Sequence, residues 1–230
     1  MILHRNRLTR LGGGVVLHNA EIDDAKVMVR ALHNGAEGVA FSNDLSESGL
    51  DHACRRAIET ARLAPPALDA RELPSVQDAG EIVSTETWDE ATAIGDSEAE
   101  GQAIGEALEA TRAHGSVLAG ILCRRAAVRA VVNTRGLKRV GRSTSAHARL
   151  IATCGEGSGH GGALVDRESQ LDLRAMADKA ARVAQAASSP VSLPPGRYDV
   201  VLEPEAVIEL LEWFSGCLLY TSDAADEQLS

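Results

Sequence analysis

The sequence predicts an α+β fold: an N-terminal α/β unit with an antiparallel sheet and flanking helices, then a helix and β-meander unit, then a truncated C-terminal domain. Three observations support this prediction. Short β-branched runs occur between segments of helical period. Tight-turn signals, Asn34-Gly35 and Asn133-Thr-Arg-Gly136, separate strand candidates. Capping residues precede the helical segments. The predicted domains are residues 1–90, 91–192 and 193–216, with 217–230 outside the fold.

The N-terminal unit has three strand candidates, at residues 15–18, 26–33 and 38–42. A helix follows, and Ser48 is its predicted N-cap, with Asp51 three residues later. Its apolar stripe is predicted to be Leu50, Cys54, Ala57 and Ala61. Pro65-Pro66 ends this helix and opens a linker that extends to residue 87.

The central unit begins with a helix at about residues 98–113, for which Ser97 and Glu100 form a predicted capping box. A β-meander follows. Its strands are predicted at 116–124 and 126–132, and extended chain at 137–154. We interpret residues 155–162, rich in glycine, as a flexible hairpin turn, with a substrate-facing loop as the alternative. A third helix is predicted at about 171–187.

The last readable unit is a strand followed by a helix. Val200, Val201 and Leu202 form a short run suited to a buried strand, and Pro204 stands where a helix begins. The helix has an apolar face and an acidic face. The apolar face comprises Val207, Leu210, Leu211 and Phe214, and the acidic face Glu205, Glu209 and Glu212.

From Cys217 onward the sequence resembles one reading frame of a transposase adapter used in DNA library preparation. We therefore expect residues 217–230 to be an artefact and the natural protein to continue differently after Gly216. Because the strand at Val200 would then need a partner from the missing part, we also expect the isolated chain to be poorly stable.

Composition excludes several classes of protein. The formal net charge is −10 at pH 7, which argues against a nucleic-acid surface. No apolar run approaches the roughly 18 residues that span a bilayer, and we see no signal peptide. The cysteines, Cys54, Cys123, Cys154 and Cys217, are scattered without metal-site spacing. A reduced, cytoplasmic protein is the expectation.

An ordered set of motifs resembles the TldD/TldE (PmbA) family. The set comprises Val29-Arg30 with residues 35–44, then Asn133-Thr-Arg-Gly136 with residues 142–145, and then residues 155–161 and 193–202. The resemblance covers most of residues 27–214. It implies a role in proteolysis, in which a TldD-type subunit binds zinc through a His-Glu-x-x-x-His helix and a TldE-type subunit is its metal-free partner.

The resemblance places the His-Glu pair on the helix after Val200–Leu202, where this chain has Glu212 and Trp213, and the second histidine at Cys217. The last histidine in the sequence is His160. We therefore expect the chain to be of the metal-free type or to belong to a related branch that lacks the motif. No catalytic, cofactor-binding or metal-binding residue is assigned, and zinc is expected only in a TldD-type partner.

Other candidate residues have plainer interpretations. His160 and His147 are expected to be exposed loop and strand-surface residues, since neither has a second histidine beside it in sequence. Ser143, Thr144 and Ser145 lack the sequence context of a nucleophile. A basic cluster is expected to lie on solvated turns, with peptide-carboxylate or nucleic-acid binding as alternatives. It comprises Arg124, Arg125, Arg135, Lys138, Arg139 and Arg142.

Three functions remain open. The first is a metal-free subunit that partners a zinc-bearing TldD-type subunit, or a second copy of itself, in degrading or processing peptides. The second is an active zinc metallopeptidase whose ligands lie beyond the truncation. The third is a non-catalytic binding protein that modulates another cellular protein. Neither a nucleic acid nor a membrane is expected as a partner.

Overall fold

The structure is a computed structural model that describes residues 1–66, 72–78, 80 and 87–226, with side chains described as far as Leu218. Two compact units are present, Met1–Pro190 and Val191–Ser230. The α+β class is confirmed, because the first unit combines an antiparallel sheet with helices.

Six strands form one sheet in the order β3-β2-β1-β4-β5-β6, and every neighbouring pair is antiparallel. The strands are β1 (Ile2–Gly12), β2 (Val15–His33), β3 (Ala36–Ser42), β4 (Val117–Val132), β5 (Lys138–Cys154) and β6 (Gly157–Val165). The sheet therefore joins residues on both sides of the predicted boundary at residue 90, through the β1–β4 pairing.

The described part of the chain also contains five α-helices. They are α1 (Glu47–Leu63), α2 (Glu90–Ile94), α3 (Ser97–Ala113), α4 (Leu173–Ala186) and α5 (Pro204–Asp226), with a short 3₁₀ turn at Glu168–Gln170. None of the helices in the described ranges is long and apolar enough to cross a bilayer.

Helices α1, α3 and α4 cover one side of the sheet, which we call the helix face. A Cβ atom on Gly38 of β3 would lie 2.0 Å from the Ala57 carbonyl oxygen of α1, so only glycine permits this approach. Ile104 and Ala107 of α3 belong to a core cluster with Leu118 of β4. Side chains alternate along a strand, so the other half of each strand lies on the opposite side, which we call the open face. No helix in the described part of Met1–Pro190 packs against that side.

The open face contains the other half of each strand. Across β1, β4, β5 and β6 its middle row comprises Leu8, Cys123, His147 and Leu164, which the register places side by side. The matching helix-face residues of β5 are Thr144, Ala146, Ala148, Leu150 and Ala152, all buried. One sheet thus has a packed side and an uncovered side.

The predicted strands at 15–18 and 26–33 are one strand, β2, and β1 was not predicted at all. The polar residues between the two candidates interrupt the apolar pattern that predicts a strand. They instead pair with β1: Asp23 bonds Arg5, and Glu21 bonds Arg7. Charged cross-strand pairs of this kind stabilise a sheet but hide the apolar alternation that marks a strand.

The predicted return of the chain between Arg124 and Ala126 is wrong, because β4 runs straight through both. The turn at Asn133–Gly136 is confirmed: Asn133 Oδ1 accepts hydrogen bonds from the backbone N–H groups of Arg135 and Leu137. The flexible turn predicted at residues 155–162 is mostly strand β6, and the chain reverses just before Gly157.

The glycines of β6 allow α4 to lie directly on the strand. A Cβ atom on Gly157 would lie 2.2 Å from the Ala184 carbonyl oxygen, and one on Gly159 would lie 2.0 Å from the Ala180 carbonyl oxygen. Small residues therefore face each other on both elements, and the helix approaches the backbone of the sheet. The same glycines that suggested flexibility are required by close packing.

Helices α1, α3 and α4 are predicted within two or three residues, whereas α2 was not predicted, and two caps differ. Ser46, not Ser48, caps α1 by accepting from the Gly49 N–H. Asp96, not Ser97, caps α3. The buried residues of α1 are Ala53, Ala57 and Ala61, whereas Cys54 is exposed.

The second unit is described by itself. Helix α5 begins at Pro204, as predicted, but it continues beyond Phe214. The predicted strand at Val200–Leu202 is wrong: these residues are outside any sheet, and Val201 is 95% exposed. No strand in the described chain pairs with these residues, so their backbone groups have no neighbouring strand with which to form sheet hydrogen bonds.

Candidate functional site

A buried polar network lies between the helix face and α3. The side chain of Arg124 is 3% exposed and that of Glu100 is 4% exposed, and the two form an ion pair. Arg124 Nη1 also donates to Glu168 Oε2 at 2.8 Å. Thr9 donates to the other oxygen of Glu100, and Asn19 donates to Thr9 at 2.8 Å. Residues from β1, β2, β4, α3 and the 3₁₀ turn thus share one network.

The local sequence explains how these groups meet. Arg124 points to the helix face because β4 continues in alternation, and its neighbour Arg125 points to the open face and is exposed. Glu100 lies in the first turn of α3, where a carboxylate is favoured by the helix dipole. Gly95, with φ +73°, passes so close that a Cβ atom would lie 2.3 Å from Arg124 Nη1.

The burial and mutual pairing of these charged groups indicate that the network is structural. Burial is the largest influence on Glu168 and raises the pKa of its carboxyl, whereas Arg124 opposes that rise. An ion pair removed from water contributes little net stability, yet loss of either partner leaves a buried charge uncompensated. The expectation that Arg124 lies on a solvated turn is therefore wrong. Its partner Glu100 is distant in sequence, so no local pattern could have indicated the pair.

A small pocket that shares Arg124 with the network is also lined by Arg5 and Arg7. Such a pocket would suit an anion if the arginines were unpaired. Each already has a carboxylate partner: Arg5 bonds Asp23, and Arg7 bonds Glu21. Because the surrounding carboxylates offset the three positive charges, the pocket does not form an anion site.

The hydroxyl candidates separate onto two sides of β5. Thr144 is buried, and its Oγ1 lies 2.7 Å from the Thr87 carbonyl oxygen and accepts from the Asp89 N–H at 2.9 Å. Ser143 and Ser145 occupy open-face positions. Thr144 therefore anchors the chain that leads into α2, and none of the three is arranged as a nucleophile.

Cys123 and His147 lie on the open face, where the register pairs them, whereas Cys154 packs against the core under α4. A thiol beside an imidazole can be a nucleophile when the thiol ionises. Burial raises the pKa of Cys123, so the thiol remains protonated. His160 lies further along the same face, and its Nε2 atom is buried without a hydrogen-bond partner among the described residues.

The remaining basic residues are surface groups. Arg135 bonds Glu72 at 3.0 Å, Arg142 lies over the Trp88 ring, and Arg139 donates to a backbone carbonyl. In the second unit Trp213 is 77% exposed, and Glu212 is also exposed. The described residues contain no group of three His, Cys, Asp or Glu side chains that could hold a metal ion.

Comparison with known proteins finds one family model that matches part of the chain. Residues 5–61 match the family model described as PmbA/TldA metallopeptidase domain 1. No curated protein sequence matches the chain.

Three solved structures share its fold. A candidate modulator of a DNA gyrase from Thermotoga maritima has a TM-score of 0.65 and 15% identity, over 85% of this chain and 45% of that one. TldE from Thermococcus kodakarensis has a TM-score of 0.65 and 14% identity, over 80% of this chain and 42% of that one. A candidate modulator of DNA gyrase from Bacteroides thetaiotaomicron has a TM-score of 0.62 and 16% identity, over 79% of this chain and 44% of that one.

The chain spans less than half the length of these solved proteins. At such low identities the structural likeness shows the fold alone, and the family model matches only residues 5–61. Together these findings show that residues 5–61 are similar to the first domain of the PmbA/TldA metallopeptidase family and that the chain shares its fold with these solved structures.

Proposed function

We propose that the chain is the metal-free subunit of a two-subunit peptidase and acts in the cytoplasm beside a zinc-bearing TldD-type subunit. One observation carries this proposal. At the positions where the family resemblance places the His-Glu pair, the chain has Glu212 and Trp213, both on α5, and the position of the second histidine falls at Cys217, the first residue of the expected artefact.

These side chains do not fit a zinc peptidase site. Such a site needs imidazole or carboxylate ligands and a nearby carboxylate that accepts a proton from the attacking water. Trp213 stands where that carboxylate would be, and an indole N–H donates a hydrogen bond but accepts no proton. The chain therefore lacks the proton acceptor as well as the imidazoles at these positions.

The architecture supports a subunit role. The polar network around Arg124 is fully occupied by internal partners, and Cys123 is held as a neutral thiol. Neither arrangement provides a nucleophile or a general base for peptide cleavage. In this proposal, zinc in the partner subunit supplies the hydrolytic chemistry, and this chain helps to enclose the peptide substrate.

The test combines metal analysis with partner capture. Purified chain, dialysed without chelator, should contain no stoichiometric zinc by mass spectrometry, and a tagged chain should recover a TldD-type subunit from a native host extract. One tightly bound zinc per chain would contradict the metal-free assignment. Recovery of a different protein, without a TldD-type subunit, would instead favour a modulator of another cellular protein.

A further inference from the structure

The open face is strongly basic although the chain is acidic. Sequence composition gives 33 Asp and Glu residues against 23 Lys and Arg. Yet the open-face positions of β1, β4, β5 and β6, all of them fully described strands, contain no Asp or Glu. They contain five arginines: Arg10, Arg125, Arg129, Arg139 and Arg149. In β2 and β3 the open-face positions add Lys26 and Arg30 but also Asp24 and Glu37, so the positive charge without acidic neighbours is on the part of the open face formed by β1, β4, β5 and β6.

Three of these arginines are available to a partner. Arg10, Arg125 and Arg129 are exposed and have no ion-pair partner among the described residues. On the helix side, by contrast, Arg5, Arg7 and Arg124 are all paired with carboxylates. The difference indicates that the open face is electrostatically unsatisfied, which is typical of a surface that meets an acidic partner.

The arginines flank an apolar centre. The register aligns Arg10, Ile121 and Arg149 in one row across the strands, and Arg125 two rows away. Between them lies the middle row that contains Leu8, Cys123, His147 and Leu164. Two residues of strand span about 7 Å, so the flanking rows are roughly 13 Å apart. An α-helix with its side chains is about 10–12 Å wide.

We propose that the open face docks an acidic amphipathic helix of another polypeptide. Its apolar side would cover the middle row, where Leu164 is 72% exposed, and carboxylates on its two flanks would meet Arg10 on one side and Arg125 on the other. The row from β1 to β6 crosses three strand gaps of about 4.8 Å, so about ten helical residues would lie across it.

Two other occupants fit less well. Single-stranded nucleic acids stack bases on aromatic side chains, and the open-face positions of these four strands contain no Phe, Tyr or Trp. The open face of β3 has Phe41, two strands beyond β1, and Lys26 Nζ lies over its ring at 4.6 Å. A second copy in a symmetric contact would place this face against itself, so that arginines would oppose arginines.

The test uses the full chain and a dye-labelled synthetic peptide with Leu on one helical face and Glu on both flanks of that face. The peptide has about 14 residues: the ten that cross the row and about half a helical turn at each end. Fluorescence anisotropy should show binding that weakens with added salt. The double variant Arg10→Glu/Arg125→Glu should bind about tenfold more weakly or worse, since each pair is partly exposed. The control Arg56→Glu/Arg174→Glu makes the same charge change at exposed positions on α1 and α4 and should bind as the wild type does.

A thermal melt of each variant separates lost binding from lost folding, and Arg10→Gln/Arg125→Gln should give an intermediate loss. The proposal is overturned if wild-type chain does not bind the peptide, or if both double variants weaken binding equally. It is also overturned if single-stranded DNA of about the same length binds more tightly than the peptide. A wild-type dimer in sedimentation, dissociated by Arg10→Glu/Arg125→Glu, would assign the face to self-association instead.

Discussion

At the scale of single residues, the guanidinium of Arg124 connects parts of the chain that are distant in sequence. It pairs with Glu100 on α3 and with Glu168 beyond β6, while Thr9 of β1 bonds the same Glu100. The network therefore fixes α3 against the sheet. Hydrogen bonds inside a protein are costly to leave unmade, so every member depends on the others.

Arg124→Met should destabilise the protein by about 3–5 kcal/mol, because Glu100 would remain buried without its countercharge. The matched control is Arg125→Met, one residue along β4, whose exposed side chain should change the free energy of unfolding by no more than about 0.5 kcal/mol. Urea denaturation of both variants gives the comparison. Equal losses would show that the network is not what holds α3 in place.

His114 offers a second residue-scale prediction. Its Nε2 atom lies 2.9 Å from Asp178 Oδ1 and its Nδ1 atom 3.2 Å from Gln185 Oε1, so it links the end of α3 to α4. The bond to Asp178, followed by the bond to Gln185, raises the pKa of His114 above its usual 6.5. Protonated His114 therefore adds stability that is fully present below that value and is lost as pH rises through the folded-state pKa.

Asp178→Asn should lower the pKa of His114, and an NMR titration of its imidazole protons measures the change. Arg182→Gln is the control and should raise the pKa of His114, because the positive charge of Arg182 lowers it. A His114 titration unchanged in Asp178→Asn would mean that the helix link does not form in solution.

At the scale of elements, close backbone packing depends on glycines in β6. Gly159→Ala should destabilise the protein by about 1–3 kcal/mol, because the new methyl group would force α4 away from the strand. Gly141→Ala in β5 is the control, since a Cβ atom added there would meet no other atom within 4 Å. Thermal melts compare the two. A Gly159→Ala variant as stable as Gly141→Ala would contradict the packing described for α4.

The same elements show what sequence patterns can predict. Helices α1, α3 and α4 were predictable because their apolar spacing and caps are local signals. Strand β1 was not, because Arg5 and Arg7 replace apolar residues on its inward side and their partners lie on β2. Strand β6 was not, because glycines required for close packing resemble glycines of a turn. The network of Arg124 could not be predicted either, since its partners come from other elements.

At the scale of the whole molecule, the β1–β4 pairing makes one sheet from residues on both sides of the predicted boundary at residue 90. We expect Met1–Pro190 to unfold as one cooperative unit. Hydrogen exchange across a urea series should release the amides of β1 and β4 together. If the amides of β1–β3 exchanged at lower urea than those of β4–β6, the two halves of the sheet would be independent folding units. A low overall stability of the chain stays a prediction.

The most direct test of the metal-free assignment is peptide cleavage. An unstructured, dye-quenched peptide would be incubated with this chain alone, with a TldD-type subunit alone, and with both, each with added zinc and again with a chelator. We expect no cleavage by this chain alone under any condition, and chelator-sensitive cleavage when the TldD-type subunit is present. Chelator-sensitive cleavage by this chain alone would contradict the assignment.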